Sequence, residues 1–174
     1  MPRLNPETIG MLLIGYGNPG RGDDGLGPAF AEAVERLQMP GVSVDANYQL
    51  TVEDAEAVAR HPVVVFIDAE LNGPGPFSFS RLSPAPTWNF ESHRLGPGAV
   101  LALAAEVFGA RPEGYLLGIR GYEFGRFEEV LSQRARSNLE AALLFFQTWI
   151  RDNNLSLGRA YAGLPVSSSG KEEK

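Results

Sequence analysis

Short apolar stretches alternate along the chain with helical ones, and no other feature narrows the fold as much. Met11 to Tyr16 (MLLIGY) is a brief apolar run that stops at Gly17-Asn18-Pro19-Gly20, as a buried strand entering a loop does. Pro28 to Leu37 then sets Phe30, Val34 and Leu37 on one helical stripe, and Gly41 to Ala46 predicts a second strand. Thr51 with Asp54 three positions later resembles a capping box that opens a helix through Val58 and Ala59. His61-Pro62 ends that helix, with His61 as an end cap. Val63 to Ile67 is the most hydrophobic β-branched stretch, and it halts at Asp68. Phe77 to Leu82 (FSFSRL) alternates strictly and predicts a half-exposed strand. Pro97 is well placed to begin a helix that ends at Phe108, before Gly109. Tyr115 to Ile119 predicts a fifth strand. From Ser132 to Ile150 a long helix would carry Ala135, Leu139, Ala142, Leu143, Phe146 and Ile150 on one face.

Strands alternating with helices predict an α/β sandwich around a mainly parallel sheet. In such sheets ligands gather beyond the carboxyl ends of the strands, where the strand order reverses. The chain of 174 residues is sized for one domain. We expect that domain to span residues 1–152. Residues 153–174 lose periodicity and end in SSSGKEEK, which predicts a polar, disordered tail. No apolar run approaches the ~20 residues of a membrane helix, and the N-terminus lacks the pattern of a signal peptide. A cytoplasmic protein without a membrane partner is expected. The formal net charge of −6 argues against nucleic acid, whose phosphates need a basic face.

The residues that are missing restrict the chemistry. There is no cysteine, so thiolate nucleophiles, disulfides and thiolate metal sites are excluded. The two histidines, His61 and His93, cannot make a three-histidine zinc site. Lys171 and Lys174 are the only lysines, which leaves none in the globular body for a Schiff base or a phosphate-gripping loop. Carboxylates, histidine, hydroxyls, arginines and backbone must do the work.

Residues 15–20 spell a literal GxGxxG after a strand, and Asp45 ends the second strand as a ribose-binding acid would. Three features oppose that dinucleotide reading. Arg21 to Gly27 prolongs the loop where a helix should meet the pyrophosphate. Pro19 removes an amide donor. Asp23 and Asp24 would confront a dianion that a helix dipole of about half a charge cannot hold against them.

Asp24 lies in the glycine-rich loop after the first strand, and Asp68 ends the β-branched one. If those strands are neighbours, ~4.8 Å apart, both carboxylates reach one rim of the sheet. With an imidazole from His93 they would suit a divalent metal with open positions. Spacing alone leaves plainer roles open. Asp23 and Asp24 could serve as helix N-terminal charges, Asp68 as a loop-facing acid, and His93 as a surface residue.

Several spaced segments together resemble the hydrogenase maturation proteases, from Met11 to about Trp149. They are Gly15-Tyr-Gly-Asn18, Gly22-Asp-Asp-Gly-Leu-Gly27, Tyr48-Gln-Leu-Thr-Val-Glu-Asp-Ala-Glu56, Asp68-Ala69, Ser92-His-Arg-Leu-Gly-Pro97 and Leu116-Leu-Gly-Ile-Arg-Gly-Tyr-Glu123. The resemblance implies a three-layer α/β/α sandwich with a five-stranded sheet whose fourth strand is antiparallel. It implies metal-ligating, catalytic roles for Asp24, Asp68 and His93, and substrate contacts at Gly17, Asn18, Asp23, Gln49 and Leu50. Some members carry glutamate where Asp24 stands, so the ligand here is shorter by one methylene. The implied activity is removal of the C-terminal extension of a nickel–iron hydrogenase large-subunit precursor. Nickel would arrive with that precursor, and no tightly bound resident metal is expected. Two other readings stand beside it: a non-catalytic, chaperone-like metal-binding module that uses the same three ligands, and the dinucleotide-binding oxidoreductase built on residues 15–20.

Overall fold

The structure, a computed structural model, describes residues 10–85 and 95–161, with side chains described to residue 152. Its strands are β1 (Met11–Tyr16), β2 (Val42–Asn47), β3 (Val63–Glu70), β4 (Phe77–Leu82) and β5 (Glu113–Arg120). The helices are α1 (Leu26–Arg36), α2 (Asp54–Ala59), α3 (Pro97–Phe108) and α4 (Gln133–Tyr161). The strands form one sheet in the order β2-β1-β3-β5-β4, parallel except for β4, which runs antiparallel to β5. This is the expected α/β fold, and the alternating FSFSRL segment is its antiparallel edge.

Side chains two apart on a strand share a face. Leu12 and Ile14 of β1 and Val64 and Phe66 of β3 meet Ala55 and Val58 of α2 and Val100, Leu101 and Ala104 of α3 in one buried apolar cluster. The opposite face of β1 receives α1, whose Phe30, Ala31 and Val34 are buried. Helices therefore cover both faces. At the crossing, α1 lies so close that a Cβ on Gly27 would sit 2.3 Å from the Tyr16 carbonyl oxygen and 2.7 Å from that of Ile67. Those are backbone atoms of β1 and β3 and cannot rotate aside. Gly27→Ala should lower stability by about 2–3 kcal/mol. The check is a reduced urea midpoint at unchanged denaturant slope.

The local signals explain most element ends. Pro97 opens α3, and Gly109 closes it in the left-handed conformation, φ 66°. At α2 the Asp54 carboxylate accepts from the Thr51 N–H at 2.7 Å, the returning half of a capping box. His61 caps that helix, its Nδ1 lying 2.8 Å from the Ala57 carbonyl oxygen.

Several boundaries differ from expectation. A 3₁₀ turn at Gly22–Gly25 leads directly into α1, which starts at Leu26 rather than Pro28. Leu37 caps α1 half exposed instead of extending its buried stripe. β3 does not stop at Asp68 but runs to Glu70, because Asp68, Ala69 and Glu70 pair with Gly118, Ile119 and Arg120 of β5. Its apolar side chains end before its hydrogen bonds do. Lastly, α4 continues to Tyr161, past the expected helix end at Ile150, since no proline interrupts the stretch.

The chain divides into two compact units, Met1–Leu143 and Leu144–Lys174, and the division falls inside α4. In the first unit Ala135 and Ala142 are buried, and Asn138 donates to the Arg120 carbonyl oxygen at 2.9 Å. In the second, the Phe146 and Trp149 rings stack with centroids 6.2 Å apart. Among the described residues, no helix is long and apolar enough to cross a membrane.

Candidate active site at the strand-order switch

The sheet reverses its order between β1 and β3. From β1 the chain crosses to β2 on one side, and it re-enters at β3 on the other. The carboxyl ends of these two neighbours are where an open α/β sheet leaves a crevice. Asp24 follows β1 and Asp68 lies at the end of β3, so the topology puts both at that rim.

The loop after β1 is shaped around Asp24. Gly17 has φ +142°, and a Cβ there would lie 2.0 Å from the Asp24 carbonyl oxygen. Only glycine fits. The next residue, Asn18, donates its N–H to Asp24 Oδ2 at 2.9 Å, while its own Oδ1 accepts from the Gly20 N–H at 2.9 Å. Gly17 N–H is bonded to the Asn47 carbonyl oxygen at 3.0 Å, which ties the loop to the end of β2. The backbone of Gly17-Asn18 thus holds the Asp24 carboxylate in place.

Asp68 is partly buried, and its Oδ1 accepts from the Ala69 N–H at 2.8 Å. Its carboxyl is pushed up to about 6, chiefly by burial, with the charges of Asp24 and Glu70 adding to the rise. Hydrogen bonds from the Tyr16 hydroxyl and the Ala69 amide oppose it. Such a group is mostly ionised at neutral pH, yet it accepts a proton more readily than an ordinary carboxylate. It also destabilises the fold. The native state holds the Asp68 proton more tightly than the unfolded chain, so stability falls as pH rises from about 4 through about 6. Asp68→Asn should therefore gain about 1–2 kcal/mol at pH 7.5, less than the roughly 3 kcal/mol of a two-unit shift because the amide has one acceptor fewer. Urea unfolding at pH 7.5 and pH 4 checks this, with the gain disappearing at the lower pH.

The other expected substrate contacts have different settings. Asp23 is fully buried. Its Oδ2 accepts from the Tyr122 and Glu123 amides at 2.8 and 2.9 Å and from Ser132 Oγ at 2.8 Å, while Oδ1 accepts from the Ser132 amide at 2.7 Å. These bonds hold its carboxyl below the usual range although burial pulls the other way. Asp23 pins the β5–α4 loop to the 3₁₀ turn and presents no free acceptor outward. Leu50 is buried in the apolar cluster beneath β1 and β3. Gln49 is exposed, in the segment between β2 and α2. Gly17 and Asn18 stand at the rim, with Asp24. His93 lies outside the described residues. Among the described residues, no three His, Cys, Asp or Glu side chains form a metal-binding group.

Two groups at this rim were not singled out from sequence, Tyr16 and Glu70. Tyr16 ends β1, and its hydroxyl bonds to Asp68; burial, Asp68 and Glu70 all raise its pKa. Glu70 lies over Gly118 and accepts from Ser78 Oγ at 3.1–3.2 Å. Alternation along each strand could have found them, since Tyr16 continues the Leu12–Ile14 face and Glu70 continues that of Asp68.

Two carboxylates, Asp24 and Asp68, thus stand near the switch point of the sheet, close enough for the charge of one to act on the other. Comparison with solved structures narrows the class of fold. The hydrogenase maturating endopeptidase HybD from E. coli aligns with a TM-score of 0.68 at 23% identity, covering 83% of this chain and 93% of that one. The [NiFe] hydrogenase maturation protease HycI from Thermococcus kodakarensis aligns at 0.62 with 26% identity, covering 79% and 90%. An uncharacterized protein from Wolinella succinogenes aligns at 0.57 with 28% identity, covering 84% and 98%. No protein-family model and no curated protein matches the chain. In fold, the chain is similar to these solved hydrogenase maturation proteases.

Proposed function

We propose that this protein is an endopeptidase that removes the C-terminal extension of a nickel–iron hydrogenase large-subunit precursor once nickel has been inserted. The observation that carries the reading is the convergence of Asp24 and Asp68 at the β1/β3 switch point, in the fold of the maturation proteases. The precursor's nickel is part of the substrate. Asp24 and Asp68, joined by His93, would occupy its open coordination positions, and hard carboxylate oxygens with one imidazole suit such an ion. A set of only three ligands leaves the rest to the precursor. The site is then complete only with loaded substrate, which makes nickel the signal that insertion has finished. A metal held there would polarise the scissile carbonyl or activate water. Gly17 and Asn18, which follow β1, and the exposed Gln49, which follows β2, are the expected contacts for the substrate chain. A cytoplasmic location is part of this proposal.

Mass spectrometry of the loaded precursor after incubation tests the activity. The expected product has lost one C-terminal segment at a single position. An intact precursor after prolonged incubation with folded enzyme would refute the proposal.

A further inference from the structure

We infer that Tyr16 is a positioning residue, whose hydroxyl fixes the orientation of the Asp68 carboxylate at the rim. The inference rests on the function proposed above. Gly15 and Ile67 are register partners in the parallel β1–β3 pair, so Tyr16 and Asp68 are the next residues along two adjacent strands. Alternation puts them on one face, the one that carries Ile14 and Phe66. The Tyr16 ring packs against that apolar cluster, which includes Leu12, Ile14, Leu50 and Phe66. Packing against this cluster seats the ring with its hydroxyl at Asp68.

The second bond to this carboxylate comes from the Ala69 amide, at Oδ1. Two donors on one carboxylate define both its rotation and the direction of its free lone pairs. Partners of this kind orient metal-binding side chains, and losing one typically costs ten- to a hundredfold in affinity or activity.

Tyr16→Phe keeps the ring and deletes only the hydroxyl. Two readouts separate positioning from general support of the fold. In urea unfolding of the isolated protein, Tyr16→Phe should lower the midpoint in the wild-type background and leave it unchanged in Asp68→Ala, the signature of a direct coupling. On nickel-loaded precursor, Tyr16→Phe should lower kcat about tenfold with KM unchanged. Equal midpoint shifts in the two backgrounds, or a wild-type kcat, would overturn the inference. The first readout needs no substrate. A coupled midpoint shift in a protein that cleaves nothing would therefore retire the proposed function and not the Tyr16–Asp68 link.

Discussion

Alanine at Asp68 should cut processing of the loaded precursor by about a thousandfold, in a protein that remains folded. The residue supplies one of the two carboxylates at the switch point, and β5 holds its backbone through the pairing of Asp68 with Gly118. That pairing survives the substitution, since it uses backbone alone. Deleting the side chain also removes a charge that burial disfavours, so stability should hold or rise at neutral pH. Loss of function with retained stability is the pattern of a residue kept for chemistry. Initial rates and urea midpoints on the same preparation decide the matter. A normal rate would remove Asp68 from the site.

Asp23 should behave in the opposite way. Alanine there would strip four hydrogen bonds from a fully buried carboxylate and leave the Tyr122, Glu123 and Ser132 amides without an acceptor. The expected loss is about 3–5 kcal/mol, because buried donors left unpaired carry their whole desolvation cost. Asparagine should not rescue it, since its amide nitrogen would point a donor at donors. The wild-type contribution has a definite pH dependence. A carboxyl held below its ordinary value stabilises the fold above the unfolded pKa, near 4, and that contribution fades as pH falls through the lower native value. Urea midpoints for wild type, Asp23→Ala and Asp23→Asn between pH 3 and 7 test both points. Variants within about 0.5 kcal/mol of wild type would contradict the pin.

The neighbouring aspartates show how far a sequence can be read and where reading stops. A strand, a glycine-rich loop and two acids suggest a candidate site, and Asp24 stands in the 3₁₀ turn that follows β1. Nothing local distinguishes Asp23. Its partners lie about a hundred residues away along the chain, and only the tertiary fold brings the β5–α4 loop onto it. Leu50 is a similar case. A short motif between β2 and α2 gives no indication that its leucine turns into the core. Strand and helix existence was legible from periodicity, and α3 from its proline and glycine. The end of β3 was not, because hydrogen bonds to β5 carry the strand two residues beyond its apolar run. Alternation does foretell that Tyr16 and Asp68 share a face, but only once β1 and β3 are known to be neighbours.

The most direct test of the account compares initial cleavage rates on two preparations of one precursor, identical except for nickel. The loaded form should be trimmed at a single position, and the nickel-free form should stay intact at the same enzyme concentration. Cleavage of both forms at equal rates would contradict the claim that the substrate's own metal completes the site.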